Sequence, residues 1–302
     1  MLACWGKLSD ANESGSYHPL LCHMLDVASV AREMWRSTLS PRLRRETTEA
    51  LGFRVDQDTA GVWCAFLAGL HDLGKASPTF QLQVERVREP VKNRLRSVGL
   101  RVDTYHSISR TPHGTITAAT LPNILTEAFG LNQSVANRFG VVVGGHHGSF
   151  PTSRDILDVT SIARGTGGWD ALRCDLVEQL ADVLGVPRNR GPDDFCNAVA
   201  MVLAGITSVA DWIGSNTDFF PYAHPTDLVT YSQDAETQAQ VGLDKLGWRL
   251  QPRRHGSRAF TDLFPKLTPN DLQIAVESLA PQLFEPGLVI IEAPMGEGKT
   301  EA

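Results

Sequence analysis

Disulfide frameworks and zinc ribbons are excluded first, because the five cysteines, Cys4, Cys22, Cys64, Cys174 and Cys196, are scattered and include no Cys-x-x-Cys pair. A reducing cytoplasm is the compartment expected. The N-terminus, MLACWGKLSD, lacks a basic region followed by an apolar core, and no stretch approaches the roughly 18 unbroken apolar residues of a membrane span. Neither export nor membrane embedding is expected. Positive charge is also in deficit, with 28 Lys and Arg against 34 Asp and Glu and a formal net charge of -6. General nucleic-acid coats gain affinity by neutralising phosphates with Lys and Arg, so any nucleic-acid binding here has to be local. Internal repeats and biased tracts are missing, and strand-like alternation is scarce.

What is present suits a packed globular chain. Its 302 residues, 42% hydrophobic and 21% charged, are enough for one large domain or two ordinary ones. Apolar residues recur at three- and four-residue spacing, which predicts helices near 18–35, 61–70, 116–129, 135–143, 170–184 and 195–213. Gly, Pro, Ser and Asn clusters at 148–153, 165–168 and 187–192 mark breaks. Composition changes after about Lys245, where LGWRLQPRRHGSRAF carries four arginines. We therefore expect a helical domain over 1–245, a linker over 246–285 and the start of an α/β domain over 286–302, with a short strand at 288–291.

The strongest local signal is His71-Asp72 in FLAGLHDLGKASPTFQ, where an apolar helix ends on an imidazole beside a carboxylate and Gly74 leaves room for close approach. A His-Asp dipeptide alone is weak evidence. It gains weight from His23 on the first helix, His113 opening HGTITAA, the pair His146-His147 in VVVGGHHGSF, and Asp211 late in AVAMVLAGITSVADWIGSN. Ionisable residues in apolar helices are costly to bury unless paired or metal-bound. Their recurrence in separate helices favours a metal site.

These residues resemble the HD phosphohydrolase superfamily, whose ligands run His, then His-Asp, then a distant Asp: here His23, His71, Asp72 and Asp211. With His113, His146 and His147 added, the pattern resembles the larger site of the CRISPR-associated helicase–nucleases of type I systems, the Cas three family. The resemblance runs through WGK, HPLLCHMLDVA, HDLGKASPTFQ, HGTITA, GGHHG and VADWIGSN, over most of the first two hundred and twenty residues. It implies an all-α HD-domain helical bundle followed by a linker and the truncated start of an α/β helicase domain. It also implies one metal held by His23, His71, Asp72 and Asp211, and a second bridged by Asp72 to His113, His146 and His147. Two metals suit phosphodiester hydrolysis, since they activate a water and stabilise the attacking and leaving oxygens. Imidazole-rich ligation favours manganese, iron, cobalt or nickel over magnesium.

Lys75, one turn beyond Asp72, is expected to face the same way and reach the scissile phosphate. His18 is read as a structural residue at the first helix start, and Asp26 as an ordinary surface acid, though its accepting a hydrogen bond from the free ring nitrogen of His23 is open. Ser215 and Asn216 follow Asp211 by a turn and could touch substrate. His106, His224 and His255 match no motif. Arg86, Arg88, Lys92, Arg94, Arg96 and Arg101 form a basic stretch that, with Phe80 stacking bases, could track a single strand.

APMGEGKT, ending in Gly296, Gly298, Lys299 and Thr300, has the spacing of a Walker A loop with Ala at the first glycine position. Upstream, LTPNDLQ resembles the Q motif of superfamily 2 helicases, with Gln273 as its glutamine. The sequence stops at Ala302, so we expect no ATPase or helicase activity, with ATP and magnesium binding only in a full-length protein. Together these features predict a metal-dependent nuclease for single-stranded DNA in CRISPR type I interference, of subtype I-E, partnered by its own helicase domain and a crRNA-guided surveillance complex. The alternatives are an HD phosphohydrolase for small nucleotides and an inactive recruitment module.

Overall fold

Apolar spacing of three and four residues does put most of this chain into helix. A computed structural model describes residues 2–9, 16–53, 56–102, 111–188, 191–249, 259–282 and 289–299, in two compact units, Met1–Leu250 and Gln251–Ala302. The first unit opens with two strands, β1 (Trp5–Leu8) and β2 (Tyr17–Pro19), paired antiparallel. Pro19 then caps α1 (Leu20–Ser37), whose residues from Leu20 to Ala31 are all buried. A helix buried on every face belongs at the centre of a bundle, and α1 packs against the helices over 57–69, 169–184, 197–214 and 228–246. His18 therefore lies in a strand, because Pro19 has no amide hydrogen and ends the pairing before the helix starts.

Side-chain caps set most later boundaries. Ser40 accepts from the Leu43 amide at the start of α2 (Pro41–Ala50), and Asp56 accepts from Thr59 at the start of α3 (Gln57–Gly69). A 3-10 segment, Leu70–Lys75, continues α3 and leads to α4 (Pro78–Gln81) and α5 (Arg88–Ser97). Next come α6 (His113–Phe129), stopped by left-handed Gly130, and α7 (Gln133–Gly144). Short helices α8 (Ser153–Leu157) and α9 (Ser161–Arg164) precede α10 (Trp169–Leu184), α11 (Asn197–Gly214) and α12 (Leu228–Leu246). Among the described residues α11 is the one helix long and apolar enough to cross a membrane. Leu203, Ile206, Ala210 and Ile213 spend that apolarity on the core.

Close backbone approach organises the site end of the bundle. A Cβ on Gly114 would lie 2.1 Å from the Gly144 carbonyl oxygen, and one on Gly144 would lie 2.4 Å from that of Gly114. Only two glycines let α6 and α7 meet here, which brings His113 beside the end of α7.

In the second unit, α13 (Phe260–Leu263) and α14 (Asp271–Leu279) are joined by an irregular connection. The strand expected at 288–291 is not formed over residues 289–291, and Ile290 is largely exposed. A strand needs a neighbour to complete its hydrogen bonds, and the described strands of the chain, β1 and β2, pair with each other.

Candidate metal centre

Helix α1, the 3-10 segment Leu70–Lys75, α6, the turn after α7 and α11 meet around Asp72. The 3-10 geometry of Leu70–Lys75 stacks residues three apart, so Lys75 folds over Asp72 and forms an ion pair with it. The same segment is locked to α6 by Thr117, whose Oγ1 accepts from the Gly74 amide at 2.8 Å and donates to the His71 carbonyl at 3.0 Å. A Cβ on Gly74 would sit 1.9 Å from the His113 carbonyl oxygen, so this turn needs a glycine.

Two groups of donors surround the Asp72 carboxylate. Its Oδ2 lies 3.1 Å from His23 Nε2 and 3.2 Å from His71 Nε2. Asp211 Oδ1 completes that group at 3.3 Å from His23 and 3.4 Å from His71. On the other side, Asp72 Oδ1 lies 3.1 Å from His113 Nε2 and 3.7 Å from His146 Nε2. His113 Nε2 is 3.3 Å from the Nε2 atoms of both His146 and His147. His23, His71, Asp72 and Asp211 offer ligand atoms all within 4.8 Å of one another, as do His113, His146 and His147.

Those atoms are aimed at common centres. His23 Nε2, His71 Nε2 and both Asp72 oxygens are buried without a hydrogen bond among the described residues, although partners lie at hydrogen-bond distance. Buried polar atoms in folded proteins are as a rule hydrogen-bonded, and converging lone pairs of nitrogen and carboxylate oxygen are a divalent-metal donor set. The residues present fit such ions. His71 Nδ1 faces the Ala68 carbonyl at 2.9 Å and His146 Nδ1 the Val143 carbonyl at 2.8 Å, which fixes each ring with Nε2 pointing inward. Ser215 Oγ donates to Asp211 Oδ1 at 2.8 Å, so it orients that carboxylate. Asn216 turns away and accepts from the Asp218 amide.

Charge is balanced tightly. Burial opposes a charged His71, but Asp72 and Asp211 outweigh it and lift the imidazole from 6.5 to about 9. Burial works against the Asp72 anion too, yet His71 and Lys75 hold it well below the usual carboxylate range. Burial and the nearby His71 charge push His146 down to about 3, and burial with His113 lowers His147.

Several residues sit elsewhere than the sequence suggested. Asp26 is fully buried, not a surface acid, and serves His18, not His23: His18 Nε2 is 2.8 Å from its Oδ2, and Tyr231 donates to its Oδ1 at 2.7 Å. Phe80 packs between Trp5 and His113, with Lys75 over its ring, which makes it a wall of the site and takes it out of base stacking. In the basic stretch Arg86, Arg88 and Arg94 spend donors on the Ser9, Leu82 and Ala3 carbonyls, Lys92 pairs with Glu89, and Arg96 and Arg101 are exposed. His224 packs edge-on against Tyr17, while His106 and His255 lie outside the described residues. Sequence reading missed Trp212, which is 70% exposed beside Asp211; a solvent-facing indole next to an ionisable core residue was the available clue. It also missed Lys7, on β1.

The second unit places Gln273 against the glycine-rich loop. Gln273 Nε2 donates to the Gly298 carbonyl, and Asn270 Nδ2 to that of Glu297. Lys299 Nζ donates to the Ala293 and Pro294 carbonyls at 2.7 Å, and Gly296 and Gly298 take positive φ. Thr300 lies outside the described residues.

CRISPR-associated endonuclease/helicase Cas3 of Thermus thermophilus is 35% identical over 306 residues, covering all of this chain and 31% of the relative. The crystal structure of the Thermus thermophilus cas3 HD domain in the presence of Ni2+ superposes with a TM-score of 0.57 at 32% identity, covering 82% of this chain and 90% of that one. A chain of a CRISPR RNA-guided surveillance complex, pre-nicking, matches with a TM-score of 0.65 and 30% identity over all of this chain and 34% of its own. This chain spans about a third of the length of the curated relatives it matches. The sequence profile of the family described as "Cas3, HD domain" matches residues 5–220, a span that contains all seven donors around Asp72, and the chain belongs to that family.

Proposed function

We propose that the first unit is a metal-dependent nuclease domain that hydrolyses phosphodiester bonds of single-stranded DNA. The observation that carries this reading is the Asp72 carboxylate, shared between two groups of inward-facing donors, with both of its oxygens and the Nε2 atoms of His23 and His71 buried without a hydrogen bond among the described residues. His23, His71, Asp72 and Asp211 would hold one divalent ion, and Asp72, His113, His146 and His147 a second; imidazole ligands favour manganese, iron, cobalt or nickel over magnesium. Bound ions would supply an activated water and stabilise charge developing on phosphate oxygens.

The chain's own residues do the rest. Lys75, held by Asp72 and by the Gly6 carbonyl at 3.1 Å, keeps an ammonium at the edge of the donor groups for a phosphate oxygen. Ser215 holds Asp211 in its inward orientation. Exposed Trp212 offers a face on which a base can stack, a sequence-tolerant contact suited to a single strand. A cavity of about 530 Å3 abuts His113 and His147 and is lined by Ser149 and Phe150, giving the strand an approach.

By resemblance, the segment from Gln273 to Thr300 belongs to an ATP-dependent motor in a longer protein, recruited with this domain to DNA by a crRNA-guided complex. Lys299 would have to leave the Ala293 and Pro294 carbonyls to reach a nucleotide phosphate. The test is cleavage of circular single-stranded DNA with EDTA, manganese, nickel, cobalt or magnesium, beside Asp72→Ala. Metal-dependent nicking that the variant lacks is the expected result; hydrolysis of small nucleotides without nicking would overturn it.

A further inference from the structure

Strand β1 forms one wall of the donor groups. A Cβ on Gly6 would lie 3.0 Å from the His23 Cβ, and the Gly6 carbonyl receives Lys75. Side chains from elsewhere fix the strand on both sides. Gln81 bonds the Trp5 amide at 3.0 Å and the Trp5 carbonyl at 2.9 Å, and Tyr222 donates to the Leu8 carbonyl at 3.2 Å. The pairing with β2 slips between Trp5 and Lys7, and such irregularities beside sites re-aim a side chain.

The side chain concerned is Lys7. It is half-buried, and the charged groups acting on it are Asp211, Lys75, Asp72 and Asp26. Among the described residues it has no hydrogen bond or ion pair, because its acidic neighbours are engaged: Asp26 by His18 and Tyr231, Asp211 by Ser215 and Asp72 by Lys75. Burial pushes its ammonium down to about 8, against the pull of Asp211, and Lys75 adds repulsion. The Gly6 carbonyl that receives Lys75 directly precedes Lys7, so the irregular strand carries Lys7 to the same edge of the donor groups.

We propose that Lys7 contacts the phosphate undergoing hydrolysis, donating to one of its non-bridging oxygens alongside Lys75. The inference rests on the phosphodiesterase reading above. Its role is electrostatic, placing fixed positive charge where phosphate charge grows.

The full chain is tested as Lys7→Met and Lys7→Arg on two substrates, circular single-stranded DNA and bis(p-nitrophenyl) phosphate, with manganese. Lys7→Met is expected to lose roughly 10- to 100-fold in kcat/KM, the worth of one hydrogen bond to a charged group, while Lys7→Arg restores most of it. Manganese stoichiometry and melting temperature stay at wild-type values in both. Wild-type rates in Lys7→Met overturn the proposal. So does an equal loss in both variants accompanied by lost manganese, which marks Lys7 as structural. If wild type leaves DNA intact but hydrolyses the small diester, the DNA reading has failed, and the ratio between the variants on that diester still decides Lys7. If wild type hydrolyses neither, both readings fall.

Discussion

Stripping divalent metal with EDTA and titrating manganese back across pH reads the charge state of His71. In the metal-free chain burial disfavours its imidazolium, but Asp72 and Asp211 lift it from 6.5 to about 9. At ~1.36 kcal/mol per tenfold change, that rise corresponds to about 3 kcal/mol. The folded value exceeds the unfolded one, so this stabilisation is fully present below 6.5 and is lost as pH climbs to about 9. A metal ligated by His71 has to displace the same proton. Apparent affinity at neutral pH is then roughly 100-fold weaker than above the titration, and it rises about tenfold per pH unit. His146, pushed down to about 3, brings no such proton. Calorimetry at about pH 6.5, 7.5 and 8.5, in two buffers of different protonation enthalpy, counts the protons released on binding. The expected result is strengthening affinity, with proton release that fades toward the upper end and a metal-free melting temperature that falls over the same window. Affinity flat with pH and no proton release would show that His71 is neutral without metal and would refute the charge assignment.

Other consequences concern the scaffold and the substrate path. Gly74→Ala puts a Cβ 1.9 Å from the His113 carbonyl oxygen, a backbone atom that cannot swing aside; urea denaturation should show a loss of about 1–3 kcal/mol, with weakened manganese binding. Thr117→Val leaves the Gly74 amide buried and unpaired, which should cost about 1–3 kcal/mol with metal stoichiometry retained. Tyr231→Phe removes the donor to Asp26, and a lower melting temperature with unchanged cleavage rate separates that network from the chemistry. Trp212→Ala should raise KM for single-stranded DNA by the ~1–3 kcal/mol of one stacked base and leave the melting temperature alone, because the ring is 70% exposed.

How much of this centre a reader could take from the sequence depended on whether the chemistry left a local trace. His71-Asp72, His146-His147 and the lone ionisable residues of α1 and α11 stood out because apolar helices seldom tolerate them. Helices α1, α3, α6, α7, α10 and α11 followed from apolar spacing, whereas α2, α5 and α12, which mix polar residues through their length, were not anticipated. What the sequence hid depends on partners distant along the chain. Asp26 looked like a surface acid because nothing within a few residues explains it; its Tyr231 donor is 205 residues away. The basic run at 86–101 read as a strand-binding face, yet Arg86 and Arg94 spend donors on carbonyls of the first nine residues. Lys7 escaped for a related reason. A four-residue strand has too few alternations to register as periodicity, and its neighbour Gly6 comes against His23 only when β1 pairs with the strand that leads into α1. Candidate metal donors are thus legible where burying them is costly, whereas the residues that set their orientation emerge only from the three-dimensional packing.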